Sequence, residues 1–240
     1  MLTTIGFYSL GTPYEHEAQT LVASLDRVGM AHRITGFKNR GSWYDNTAAK
    51  ADLILEARAT LRGPLLYVDV DAFVHVNVEA DLLALTEGCD FGVHMFAGPA
   101  KGKNRKDVCR CVAMAGRSYG DKSCDREHRL LSGTLYFGDT PGALALCENW
   151  VALNHTMRAR GLMQGGGQKN LWYLTTCMKD LKIARLPGRY TRVFDKAFCY
   201  PASEPVWIEH TIASRENRDS VRFNRGRQKR ISELKQVVIR

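Results

Sequence analysis

The chain has 240 residues, 45% hydrophobic and 25% charged, the balance of an ordinary globular protein able to bury a substantial core. No apolar run approaches the roughly 20 residues of a membrane span, and no basic-then-apolar leader opens the chain, so a soluble, cytoplasmic protein is expected. The formal charge of +9 is concentrated in two stretches: residues 101–129 hold nine Lys and Arg against four acids, and residues 214–240 hold nine against three.

The first element, "TTIGFYSL", reads as a buried strand. "GTPYEHEAQTLVASLDRVGM" follows with Ala18, Leu21, Val22, Leu25 and Val28 at helical spacing, a Thr-Pro start and Gly29 as a stop. "AHRITGF" is a second short strand, "NTAAKADLILEARATLRG" a second helix ended by Gly63, and "PLLYVDV" a third strand. This alternation predicts an α/β fold, a mostly parallel sheet covered by helices, in which ligands sit outside the carboxyl ends of the strands. Further on, "VEADLLALTEGC" reads as a helix, "DFGVHMF" as a strand, and residues 98–129 as a basic, Gly-containing inserted loop. "LLSGTLYFG" is a strand, "TPGALALCENWVALNHTMRARG" an amphipathic helix opening at Thr140-Pro141, and "QKNLWYLTTCM" a helix after three glycines. "RLPGRYTRVFDKAF" and "PVWIEHTIAS" read as strands joined by turns, and the charged tail from Arg215 as partly disordered or helical.

The third strand meets two aspartates, Asp69 and Asp71. In an extended chain, residues i and i+2 point to one face, so both carboxylates would crowd a small volume. Either the strand has ended and both groups are solvated in a turn, or a divalent cation lies between them. No turn signal follows, since "AFVHV" continues as apolar and extended.

Several segments together resemble the GT-A class of nucleotide-sugar-dependent glycosyltransferases, and are most similar to small transferases of bacteriophage and bacterial genomes. They are "GFYSLGTPY", "GSWYDNTAAKADLIL", "LLYVDVD", "LLSGTLYFGDTPGALALCENW", "QKNL" and "PVWIEHTIASR", spanning about residues 3–215. The resemblance implies a GT-A-like catalytic domain over 1–213 with a basic C-terminal tail over 214–240. It also implies a nucleotide-sugar donor, a UDP-sugar by preference, and a Mn²⁺ or Mg²⁺ ion. Asp69, Val70 and Asp71 match the D-x-D segment, whose carboxylates hold the ion against the diphosphate. His210 matches a late histidine that completes the metal site in some members. Lys50, in the family-like "W-x-x-N-x-x-x-K" run with Trp43 and Asn46, stands where relatives carry a cation that contacts phosphate or sugar. Tyr8, Ser9, Thr12 and Tyr14 fall where the class grips nucleobase and ribose, and Ser132, Gly133 and Thr134 where the chain approaches the donor sugar. For each of these an ordinary packing or solvated role is the alternative.

The sequence departs from the pattern at "GGGQKNL", where many relatives place Asp-Gln and this chain has Gly167-Gln168. An inverting enzyme needs a carboxylate base toward the acceptor hydroxyl. Asp195, His94 and Asp139 are substitutes only in being titratable. A retaining, same-face route has less need of a base, and Gln168 would then lie beneath the anomeric carbon.

The basic stretches suggest a polyanionic acceptor, or charge kept for solubility. Lys101, Lys103, Arg105, Lys106 and Arg110, with Arg215, Arg218, Arg222, Arg225 and Arg227, could track phosphates. A hydroxylated base in phage DNA is one acceptor of that kind, with Tyr119 and Trp207 as stacking partners for an extruded base. A protein or glycan acceptor stands beside it. Seven cysteines, an odd count, argue against a disulfide framework. Cys89, Cys147, Cys177 and Cys199 are expected as buried thiols. Cys109, Cys111, Cys124 and His128 are either a poorly spaced zinc site or independent groups. Two rival functions remain: a nucleotidyltransferase using the same metal geometry, and a non-catalytic nucleic-acid binder.

Overall fold

The computed structural model describes residues 1–96, 129–161, 167–194, 203–212 and 221–239. A six-stranded sheet runs β2-β1-β3-β6-β5-β7. Its strands are β1 (Thr3–Ser9), β2 (His32–Phe37), β3 (Leu65–Val68), β5 (Phe91–Phe96), β6 (Arg129–Phe137) and β7 (Ile183–Arg185). The β1–β2, β1–β3 and β5–β7 pairs are parallel, while β6 runs antiparallel to both β3 and β5. The sheet is thus mixed and mostly parallel, as the strand–helix alternation predicts.

Six helices accompany it among the described residues: α1 (Tyr14–Arg27), α2 (Trp43–Thr60), α3 (Glu79–Leu85), α4 (Pro141–Ala159), α5 (Gln168–Cys177) and α6 (Val221–Ile239). Every residue of β3, "LLYV", is buried, because helices cover both faces of the sheet. Leu65 and Tyr67 join one core with Ile54 of α2, Trp150 of α4 and Leu171 of α5. Leu66 and Val68 join a second core with Leu21 and Leu25 of α1 and Leu82 of α3. The alternation along β3 assigns each side chain its face.

Helix α2 starts three residues before the expected Asn46. Ser42 is the reason: its hydroxyl accepts from the Asp45 N–H (3.1 Å) and donates to the Asp45 carboxylate (2.6 Å), closing the first turn. Helix α4 opens as read, with Thr140 capping the Ala143 N–H at 3.1 Å and Pro141 in the first turn.

The chain after Asp69 departs from the expectation of a continuing strand. A backbone bond from Ala72 N to Asp69 O, 3.0 Å, makes residues 69–72 a tight turn. The apolar run beyond it is a strand, β4 (Ala72–Val74), but belongs to a second sheet ordered β4-β9-β8, with β8 (Arg192–Val193) and β9 (Ile208–His210). "RLPGRYTRVF" is less extended than expected, contributing only the last residue of β7, a 3₁₀ turn at Gly188–Tyr190 and the two-residue β8.

The C-terminal segment, expected as a basic tail, is helical from Val221 and docked: Leu234 is 2% exposed and Arg227 1%. Of the cysteines expected to be buried, Cys147 is, Cys89 is half-buried and Cys177 is exposed at the end of α5. Burial pushes the Cys147 thiol up to about 12. Cys109, Cys111, Cys124, His128 and Cys199 lie outside the described residues.

Candidate active site

A cleft of about 530 Å³ opens at the carboxyl ends of β1 and β3. Tyr8, Ser9, Thr12, Tyr14, Asn46, Lys50, Asp69, Val70, Asp71, Ser132 and Gln168 all line it. Residues distant in sequence meet there because β1, α2, β3, β6 and α5 all end or begin at this edge.

At the lip, ligand-type atoms of Asp69, Asp71 and His210 lie within 4.8 Å of one another. The turn is what brings the two carboxylates together, and backbone bonds fix it on both sides. Asp69 N donates to Gly133 O of β6 (2.8 Å), and Thr211 N donates to Asp71 O (2.9 Å). Pairing of β4 with β9 sets Ala72 opposite His210. The His210 Nε2 hydrogen-bonds the buried Thr134 hydroxyl at 2.8 Å, which directs Nδ1 toward Asp71 Oδ1, 4.0 Å away. An imidazole held on one nitrogen by a hydroxyl offers the other as a metal ligand. Gly133 completes the cradle. A Cβ there would stand 2.9 Å from His210 Cε1, 3.1 Å from its Nδ1 and 3.3 Å from Asp69 Oδ2. Two carboxylate oxygens and an imidazole nitrogen are a donor set that suits Mn²⁺ or Mg²⁺.

The electrostatics of this corner are compensated from inside the protein. Lys50 Nζ donates to Asp69 Oδ1 (2.7 Å) and to Ser132 O (3.1 Å), and lies 4.8 Å over the Tyr67 ring. The Tyr67 hydroxyl donates to the same Asp69 oxygen at 2.6 Å. Burial, then the charge of Asp69, raise the Tyr67 phenol well above its ordinary value, so it remains a donor. Tyr14 is pushed up to about 12 by burial and by the charge of Asp71, against a hydrogen bond with Trp43.

Protein-family models and curated sequences give no match to this chain. Solved structures do. A glycosyltransferase involved in glycosylation of the major capsid of PBCV-1 superposes with a TM-score of 0.63 at 12% identity, over 94% of this chain and 98% of the other. The galactosyltransferase LgtC, in complex with donor and acceptor sugar analogs, gives 0.58 at 12% identity over 95% of each chain. Mouse xyloside xylosyltransferase 1 gives 0.55 at 10% identity, over 89% of this chain and 98% of its own. The chain has the GT-A glycosyltransferase fold.

Within this GT-A fold the remaining residues divide by what they touch. The Ser9 and Thr12 hydroxyls lie 3.1 Å apart, and Thr12 also donates to Ser9 O (2.7 Å), so the pair shapes the loop after β1. Asn46 is occupied at both ends: its Oδ1 accepts from Arg40 N (2.8 Å) and its Nδ2 donates to Asn39 Oδ1 (3.0 Å). It organises the rim loop that precedes α2. Gln168 Oε1 accepts from Ser132 N (3.2 Å) and the Ser132 hydroxyl (2.9 Å). A backbone N–H can only donate, so that atom is the oxygen.

Two of the substitute bases are elsewhere. Asp139 is held by Arg58 Nη2 and Gly63 N, each at 2.7 Å, beyond the far end of β6. His94 bonds Leu186 O through Nδ1 at 2.8 Å and does not line the cleft. Asp195 and the basic residues Lys101, Lys103, Arg105, Lys106, Arg110, Arg215 and Arg218 lie outside the described residues. Tyr67 was missed in the sequence, although its spacing two residues before Asp69 at the end of β3 was the available signal. Asn39 and Phe37, which also line the cleft, carried none.

Proposed function

We propose that this protein is a metal-dependent glycosyltransferase that moves a sugar from a nucleotide-sugar, a UDP-sugar by preference, to an acceptor hydroxyl. The observation that carries the reading is the meeting of Asp69, Asp71 and His210 at the lip of a cleft in a GT-A fold. These three residues would hold the cation, and a bound divalent ion would act as a Lewis acid on the diphosphate as negative charge develops there. Lys50 adds a fixed positive charge beside it. Tyr8, Tyr14, Ser9 and Thr12 shape the pocket for base and ribose, with Asn46 holding its rim, and Val70 and Ser132 frame the approach to the sugar, while Gly133 and the buried Thr134 sit behind them against His210.

Among the described cleft-lining residues, the carboxylates are Asp69 and Asp71, both assigned to the cation. That supports a same-face, retaining route. The bond from the anomeric carbon to the phosphate oxygen breaks, the acceptor oxygen bonds the same face, and the acceptor proton passes to the departing diphosphate. With its oxygen committed to Ser132, Gln168 orients the donor sugar through its NH₂ and is not a nucleophile.

The acceptor reading draws on the two basic stretches, which favour a polyanion such as DNA, although Arg227 and Arg230 of the second are committed to Glu17 and Glu209 within the protein. Filter binding to duplex DNA over a salt series tests that part, with salt-sensitive affinity as the expected result. The function as a whole is tested by incubation with a panel of UDP-sugars and Mn²⁺, scoring UDP release. Release that EDTA stops and that Asp69→Asn and Asp71→Asn abolish is expected. Pyrophosphate from nucleoside triphosphates would point instead to a nucleotidyltransferase, and intact DNA binding by both variants without any turnover to a non-catalytic binder.

A further inference from the structure

Two arginines of α6 grip the chain on either side of His210. Arg230 makes a two-point contact with Glu209, Nε to Oε1 at 2.9 Å and Nη2 to Oε2 at 2.7 Å. Arg227, 1% exposed, donates from Nε to the Thr211 carbonyl oxygen at 3.0 Å and from Nη2 to Glu17 of α1 at 2.5 Å. Thr211 in turn donates both its N–H (2.9 Å) and its hydroxyl (3.0 Å) to the Asp71 carbonyl oxygen. A chain of direct hydrogen bonds therefore runs from the C-terminal helix to the turn that carries both aspartates.

The backbone at the point of contact is strained. Ile212 has φ 58°, and among the described residues it alone has positive φ without being glycine. A β-branched side chain meets its own backbone there, and such a conformation persists only where neighbours enforce it. The carbonyl that Arg227 holds belongs to the peptide leading into Ile212. A guanidinium, planar and always charged, is well suited to fix a carbonyl and a carboxylate at once.

We propose that Arg227 is a positioning residue for the metal site: from α6 it locks the Thr211–Ile212 peptide and so sets the spacing of His210 and Asp71. Its guanidinium bonds Thr211 and Glu17. The inference rests on the reading above that Asp69, Asp71 and His210 hold the cation. Released from Arg227, the strained turn relaxes, the Thr211 bonds to Asp71 loosen, and the ligands lose the fixed separation a small hard cation requires.

The test is Mn²⁺ affinity of the full chain, read from the electron paramagnetic resonance signal of the free ion, with circular dichroism as the check on folding. Arg227→Gln is expected to weaken binding about tenfold or more, the usual effect of losing an outer-shell partner. Leu234→Ala loosens α6 by removing a buried side chain but keeps the guanidinium, and should bind within a factor of about two of the parent. Adding Ile212→Gly to Arg227→Gln should recover much of the loss, because glycine takes a positive φ without strain. Parent-like affinity in folded Arg227→Gln overturns the proposal, as does an equal loss in Leu234→Ala. If Arg227→Gln does not fold, Thr211→Val, which removes the hydroxyl bond to Asp71, carries the same expectation, and unchanged affinity there overturns the proposal. A parent protein that does not bind Mn²⁺ sinks the metal reading and this inference with it. Binding by the parent that Arg227→Gln leaves intact sinks this inference alone.

Discussion

Lys50 Nζ stands 2.7 Å from Asp69 Oδ1 with only 13% of the lysine side chain exposed, so this carboxylate already has a resident counter-charge. The same oxygen accepts from Tyr67. On the proposed reading, lysine and a divalent cation compete for Asp69, and a bound donor would give the lysine a second anion to serve. Lys50→Met separates the two roles. Its Mn²⁺ affinity should match or exceed the parent's, while UDP release falls about 10²-fold or more, as when a charge-stabilising donor is removed. Titration calorimetry and a steady-state assay on the same preparation check both arms, and weaker Mn²⁺ binding would count against the competition.

Gly133 tests the cradle from the other side. Its Cβ would enter the space between His210 and Asp69, with contacts of 2.9 to 3.3 Å. Gly133→Ala should lose Mn²⁺ binding and turnover while its thermal midpoint falls only by the equivalent of about 1–3 kcal/mol of overpacking. Retained Mn²⁺ affinity would show that the space is not where the ion sits.

Tyr67→Phe removes one hydrogen bond to Asp69 and keeps the ring beneath Lys50. A stability loss of about 1 kcal/mol is expected in urea denaturation. Turnover should fall by less than in Lys50→Met, because the positive charge remains. An unchanged urea midpoint would mean the 2.6 Å bond contributes nothing.

His94 supplies a pH dependence away from the cleft. Burial lowers its pKa below the ordinary 6.5, outweighing the bond to Leu186 O. The folded state thus prefers the neutral ring, and the unfolded state binds the proton first as pH falls. Stability from this group is full above about 6.5 and declines as pH drops through the folded value. Urea midpoints measured from pH 8 to pH 5 should fall less in His94→Gln than in the parent. Parallel curves would remove His94 as a source.

Much of this fold was legible because its signals are local. Leu21 and Leu25 at helical spacing, the Thr140-Pro141 start and the apolar "LLYV" run each report their element without tertiary help. The turn at Asp69–Ala72 was one of two readings the aspartates allowed, and nothing local decided for it. It contains no Gly, Pro or Asn, and its shape comes from backbone bonds to β6 and Thr211, partners more than 60 residues away in the chain. The convergence of the aspartates was therefore anticipated for the wrong geometric reason: a change of sheet brings them together, not an extended strand. The docking of helix α6 was obscured in the same way. Its arginines look like a solvated charge run, yet Arg227 is buried against Glu17, a partner no local pattern reveals.

The central claim is that one cation, held by Asp69, Asp71 and His210, meets the diphosphate of a sugar nucleotide in this cleft. A crystal grown with Mn²⁺ and UDP, with anomalous scattering collected at the manganese edge, addresses it directly. The account predicts a single peak within coordination distance of those three side chains and of the UDP phosphates. UDP bound in the cleft with no peak at that corner, or manganese ligated elsewhere, would contradict it.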